Sequence, residues 1–155
     1  MYMHADNIKM EMLSNCTCSK LRQLTRKITG IYDRHLLADE LTVSQYSLLS
    51  RIGKYGPLGV IPLANYMGLD RSTMSRNLKP LIAAGWIETV DLPLEMLTDK
   101  RSFGLRLSVE GKRKWHAATP HWRRAQDEID AALGEQTHQE LVELIDRANG
   151  KFEDF

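Results

Sequence analysis

From residue 16 to residue 37 the apolar positions are Leu21, Leu24, Ile28, Ile31 or Tyr32, and Leu36. Steps of three and four predict one helix with a single apolar stripe. Residues 1–15 lack such a period and read as an N-terminal arm. A second helix starts at a T-x-x-Q capping box, Thr42 and Gln45, with Leu41 and Tyr46 placed for a hydrophobic staple. Leu48, Leu49 and Ile52 continue its buried side, and Lys54-Tyr55-Gly56-Pro57 ends it. After a loop, Pro57-Leu58-Gly59, Pro62 suits the first turn of a third helix that buries Leu63, Ala64 and Met67. Gly68 fits a left-handed helix end, and Asp70 is a good N-cap for a fourth helix over 71–84, closed by Gly85. Pro80 removes one backbone bond inside that helix and is expected to bend it.

The fourth helix has two unlike faces. Met74, Leu78, Leu81 and Ile82 form an apolar side, and Ser72, Ser75, Arg76 and Lys79 a polar one. Residues 86–90, WIETV, are rich in strand formers, and Phe103, Leu105 and Leu107 alternate with Gly104, Arg106 and Ser108. Residues 91–102 between them predict a β-hairpin with a long tip that carries Asp99, Lys100 and Arg101. Ser108 is placed to cap a long helix over 109–133, disturbed at Pro120. A last helix over about 137–148 would bury Leu141, Leu144 and Ile145.

Composition narrows the class. The 155 residues are 43% apolar and 26% charged, the mix of a soluble globular chain. A net charge of +1 excludes a uniformly basic coat protein and a uniformly acidic tail. It conceals an asymmetry: residues 127–155 carry −7, leaving +8 on 1–126. Six basic residues fall within 99–114, which suits a polyanionic partner at one end. No apolar run nears the ~20 residues that span a bilayer, and no secretory signal is expected. Two cysteines are too few for a disulfide framework, so the expected compartment is the reducing cytoplasm, without membrane contact. There is no Gly-rich phosphate loop, no H-E-x-x-H and no nucleophile elbow, and beyond C-x-C there is no metal-ligand spacing. The expectation is a protein that is not an enzyme and uses no cofactor or metal.

A short helix, a Gly-containing turn and a second helix with a polar outer face form a helix-turn-helix, and the strand pair beside it adds a wing. The outer face suits double-stranded DNA. Ser72 and Ser75 are small enough for close approach to a groove, Arg76 can take a guanine edge in two hydrogen bonds, and Lys79 can meet a phosphate. Arg71 and Thr73 lie in the first turn, where free N–H groups and the helix dipole favour phosphate.

The stretch LTVSQYSLLSRIGKYGPLGVIPLANYMGLDRSTMSRNLKPLIAAGWIE, followed by TDKRSFGLRLSVEG, resembles the MarR family of bacterial transcriptional regulators. The resemblance spans roughly 16–148 and is carried most by LANYMGLDRSTMSRNLKPLIAAGWI, Asp99-x-Arg101 and a Leu-Ser-x-x-Gly sequence opening a helix. It implies a mainly α fold with a small β-hairpin wing, a winged helix-turn-helix with long N- and C-terminal dimerisation helices. The implied division is an arm at 1–15, dimerisation helices at 16–41 and 109–155, and a DNA-binding lobe at 42–108. It further implies a homodimer on a palindromic operator, more often a repressor, with helix 71–84 in the major groove and Arg101, oriented by Asp99, in the minor groove. The wing loop Leu92-Pro93-Leu94-Glu95-Met96-Leu97 is more apolar than the family pattern. A small effector, phenolic or aromatic, would bind between helices and lobe, with Tyr32, His35 and Trp115 as candidate lining residues. Such dimers are regulators, and a winged helix used only for protein contacts would be expected to lose Arg76, Lys79 and Arg101.

Cys16 and Cys18 open the first helix, where a thiol is acidified, so a thiol-based redox regulator is the alternative. At i and i+2 they do not face each other, so an oxidised form needs a sulfenic acid or a bond across the dimer.

Overall fold

Helix α1 covers Thr17–Leu36 and is followed by one 3-10 turn, Leu37–Asp39. Next come α2 (Val43–Tyr55), β1 (Leu58–Gly59), α3 (Val60–Met67), α4 (Arg71–Ala83), β2 (Ile87–Val90), β3 (Gly104–Leu107), α5 (Val109–Leu133) and α6 (Glu135–Gly150). This computed structural model describes residues 16–93 and 103–152. The arm at 1–15 and the wing tip with Asp99, Lys100 and Arg101 lie outside those residues. Within them the chain divides into a helical unit, 16–34 with 124–152, and a winged-helix unit, 35–123; the divisions fall inside α1 and α5.

The expected capping box is present: Thr42 Oγ1 accepts from Gln45 N at 3.2 Å, and Thr42 N donates to Gln45 Oε1 at 2.9 Å. Both staple residues, Leu41 and Tyr46, are buried. The core of the winged-helix unit gathers Leu48, Leu49 and Ile52 of α2, Leu63 of α3, Met74, Leu78 and Leu81 of α4, and Ile87, Leu105 and Leu107 of the sheet. Tyr46 stacks on Trp122 at 5.6 Å between ring centroids, and buried Asp39 is bonded to His121 Nδ1 at 2.5 Å. Two apolar expectations fail here. Ile82 and Phe103 are 38% and 43% exposed. Ile82 sits at the edge of the stripe, and Phe103 precedes the first paired residue of β3, Gly104.

The sheet has three strands, ordered β1-β3-β2, where a hairpin alone was expected. The supposed loop at 57–59 pairs Leu58 with Leu105 and Gly59 with Gly104. A two-residue strand has no period to read, and its partner lies 45 or more residues on. The β2–β3 register runs from Ile87 opposite Leu107 to Val90 opposite Gly104.

One junction ties helix α4, the sheet and α5 together. Trp86 N donates to Leu81 O at 3.0 Å, and Ser108 N donates to Trp86 O at 3.1 Å. Ser108 Oγ donates to Gly85 O at 2.6 Å and accepts from Gly111 N at 2.9 Å, which makes it the cap of α5. Gly111 has room for a hydrogen only: a Cβ there would lie 1.9 Å from Trp86 O. This close approach is why glycine follows Leu-Ser-x-x.

In the helical unit, Ala125 and Ile129 of α5 are buried one turn apart. Tyr32 of α1 donates to Gln126 Oε1 at 2.5 Å, and Arg34 pairs with Glu128. His138 of α6 reaches Asp130 at 3.0 Å. No residue of α6 is buried, contrary to the expectation for its apolar stripe: Leu141 is half-buried, and Leu144 and Ile145 are exposed. The period identifies an apolar face but not what covers it. No helix among the described residues is long and apolar enough to cross a membrane.

Ser108→Ala leaves Gly85 O and Gly111 N without their partner and should cost about 1–3 kcal/mol. Gly111→Ala must separate α5 from Trp86 and should cost about as much, 1–3 kcal/mol. Urea unfolding measures both, and losses below about 0.5 kcal/mol would show that the junction is not structurally critical.

Candidate nucleic-acid interface

Helix α3 stops where Gly68 takes φ 63°, and its N–H donates back to Asn65 O at 3.1 Å. Only Leu69 and Asp70 separate it from α4. Asp70 closes the turn from the other side: its Oδ1 accepts from Thr73 N at 2.9 Å and its Oδ2 from the Thr73 hydroxyl at 2.7 Å. The backbone contributes too, with Met74 N donating to Asp70 O at 2.9 Å. Hydrogen bonds from the Thr73 hydroxyl and then the Thr73 N–H hold the Asp70 carboxyl below its ordinary value, with the Arg76 cation a smaller cause.

Helix α4 buries Met74, Leu78 and Leu81 and turns Arg71, Ser72, Ser75, Arg76 and Lys79 to solvent. Thirteen residues make a rod about 20 Å long, slim enough for a major groove about 12 Å wide. Residues 72, 75, 76 and 79 share one face by their spacing. Arg76 Nη2 donates to Thr73 Oγ1 at 3.3 Å, so the guanidinium leans on the capped turn. Thr73 itself is half-buried and committed to Asp70, which makes it a positioning residue more than a free contact. The helix runs on through Pro80.

The other expected positions fall elsewhere. Arg113 pairs with Glu110 at 2.7 Å, and Lys114 Nζ lies 4.7 Å from the centroid of the Trp86 ring, so these cations brace the start of α5. Arg106 pairs with Glu88 across the sheet at 2.9 Å. Tyr32 lies in the helical unit, where burial first and the Asp130 charge second push its phenol above the ordinary value. His35 and Trp115 lie in the winged-helix unit. Trp115 is packed on Gly53, where a Cβ would lie 2.6 Å from its ring, and its carbonyl accepts from Thr119 at 2.8 Å. Cys16 and Cys18 are both exposed at the start of α1. Ser19, through its N–H and then its hydroxyl, lowers the Cys16 thiol from its ordinary value. No group of three or more His, Cys, Asp or Glu among the described residues could hold a metal ion. A patch of Arg51, Tyr55 and Tyr66 was not anticipated; its members sit at helix positions that carry no motif.

A DNA-sized helix on a two-strand wing base is a specific combination, and residues 41–94 match the model of the MarR family. Solved structures extend the likeness to most of the chain. The M. tuberculosis transcriptional regulator MosR in complex with DNA is 26% identical, with a TM-score of 0.73, covering 89% of this chain and 99% of that one. The transcriptional repressor CouR bound to a 23-mer DNA duplex is 20% identical, with a TM-score of 0.77, covering 90% and 96%. PcaV from Streptomyces coelicolor in complex with its natural ligand is 24% identical, with a TM-score of 0.76, covering 89% and 94%. The latter two share the winged-helix fold with this chain. No curated protein matches the sequence.

The helix-turn-helix rests on an ionised cap. A carboxyl held below its ordinary value stabilises the fold at neutral pH, and that contribution is lost as pH falls through the lowered value. Asp70→Ala should therefore melt below wild type at neutral pH, and the gap should close as pH falls below the ordinary carboxylate range. Melting curves across pH test this; a gap that is the same at all pH values would remove the ionised cap from the account.

Proposed function

We propose that this chain is a homodimeric DNA-binding transcriptional regulator, a repressor released from a palindromic operator by a small-molecule effector. The observation that carries the reading is the outward face of α4: Arg71, Ser72, Ser75, Arg76 and Lys79 exposed on a capped helix with no acidic residue of its own. Arg76 is the base-reading residue, and Arg71 and Lys79 meet phosphates. Lys100 and Arg101 extend the contact at the wing, with Asp99 orienting Arg101. MosR and CouR, each solved with DNA, support the partner, and PcaV with its natural ligand supports an effector; a phenolic or aromatic class for it is what the family resemblance implies.

Homodimer formation is supported by α6. Its Leu144, Ile145 and Val142 are 55%, 41% and 44% exposed, an apolar stripe that a second copy would cover. Twofold pairing would place two α4 helices on half-sites about 34 Å apart.

Selection from a random pool of duplexes supplies an operator for the test. Arg76→Ala should then relax preference at one position per half-site by about 1–3 kcal/mol. Arg101→Ala should weaken binding while sedimentation still shows the dimer. Affinity should fall steeply with salt as counterions are released. A monomer that ignores every duplex at low salt would end the proposal.

A second reading draws on Cys16. Its carbonyl accepts from Lys20 N at 3.1 Å, which puts the thiol at the N-cap of α1, exposed and acidified by Ser19. In that reading peroxide oxidises Cys16 or Cys18 to a sulfenic acid and releases water, and DNA is released in turn. The Cys16→Ser, Cys18→Ser double variant should then keep DNA under peroxide that strips the wild type. Equal release from both proteins would rule the thiol switch out.

A further inference from the structure

The winged-helix unit contains a cavity of about 310 Å³ between α2, β1 and α3. Its wall is Tyr55, Leu58, Pro62, Leu63 and Tyr66, with Arg51 as the one charged residue. Leu63 closes the floor and is buried, whereas Tyr55 and Tyr66 are 58% and 60% exposed. The Arg51 guanidinium carbon lies 4.2 Å from the centroid of the Tyr66 ring.

Arg34, Arg106 and Arg113 each pair with a glutamate. Arg51 forms no ion pair with any carboxylate among the described residues and is steadied only by a ring face. A contact to a ring face uses no N–H of the guanidinium, which keeps its donors for a carboxylate that can take two parallel bonds. The volume lies at the lower end of the usual range of small-molecule sites, and a single charged anchor on a mostly apolar wall suits a ligand with one anionic end.

We infer that this cavity binds an apolar monocarboxylate, its carboxylate on Arg51 and its hydrocarbon body between Tyr55, Tyr66 and Leu63. The site rests on the regulator reading and names a place for its effector inside the DNA-reading unit. It is well placed to be felt: α3 leads through Gly68 into α4, and β1 pairs with β3 at the wing base. An occupant bears on both DNA-contacting parts.

The test uses 2-naphthoate on the full chain without DNA, followed by amide shifts, with 2-naphthalenemethanol as the uncharged comparison. Naphthoate should give saturable shifts centred on residues 51–66. Arg51→Met, which keeps the stem and drops the charge, should weaken naphthoate by about tenfold and leave the alcohol unchanged. Tyr66→Leu should weaken both, and it keeps the test decisive should Arg51→Met unfold. Shifts centred elsewhere, no saturation, or equal naphthoate binding by Arg51→Met would overturn the proposal. So would a loss of operator affinity in Arg51→Met with naphthoate binding intact, which would make Arg51 a backbone contact. Because binding is read without DNA, its failure is separate from a failure to bind an operator.

Discussion

The architecture depends on how closely the start of α5 can approach the turn after α4. Gly111 meets Trp86 O at a distance that admits only a hydrogen, and Ser108 donates to Gly85 O while capping its own helix. Those bonds fix where α4 ends, where β2 begins and where α5 starts. A reading helix is useful only if its rotation about its own axis is fixed, since one residue of slip turns it by about 100°. Apolar packing of Met74, Leu78 and Leu81 sets that rotation loosely, because hydrophobic burial is not directional. The hydrogen bonds at Ser108 and Trp86 are directional and set it sharply.

The sequence was most legible where chemistry is local. The Thr42–Gln45 box, the Gly68 turn, the Asp70 cap and the Ser108 cap each depend on residues three or four apart, and each is present. Legibility failed where the partner was distant. Strand β1 exists only because β3, encoded far downstream, offers its edge to Leu58 and Gly59. The stripe of α6 was read as buried because its period is that of a covered face, yet within one chain Leu144 stays in solvent. The same limit holds for the candidate site. Arg76 and Lys79 could be placed on an outward face by spacing, but Thr73 could not be separated from them as a capping partner, because that depends on hydroxyl direction. The Arg51 cavity left no trace in the sequence, since its wall comes from three elements that share no motif.

Charge is spent differently in the two units. In the winged-helix unit, Arg106, Arg113 and Lys114 are tied to Glu88, Glu110 and the Trp86 ring, whereas Arg71, Arg76 and Lys79 of α4 have no carboxylate partner among the described residues. In the helical unit, acidic Asp130 and Glu128 are bound to His138 and Arg34. Exposed pairs of this kind contribute little stability, a median of about 0–1 kcal/mol. In the proposed reading their larger effect is on a polyanion: basic residues beside acidic partners attract it less than the unpaired cations of α4 do.

On the proposed reading a carboxylate at Asp70 opposes the approach of α4 to phosphates, and the competing effects can be weighed. Its charge repels the backbone of a duplex, but the repulsion crosses solvent and is screened within about 8 Å at physiological salt. Against it stand the hydrogen bonds to Thr73 and, through the Thr73 hydroxyl, the placement of Arg76. Ordering a free, rotamer-rich side chain on binding costs about 0.5–1.5 kcal/mol, and salt does not screen that cost. An Arg already leaning on a capped turn has less of it left to lose. If Arg76 reads a base as proposed, an acidic cap gives up some general attraction to any duplex and keeps the part that depends on which base Arg76 meets, a trade that raises discrimination even where it lowers affinity.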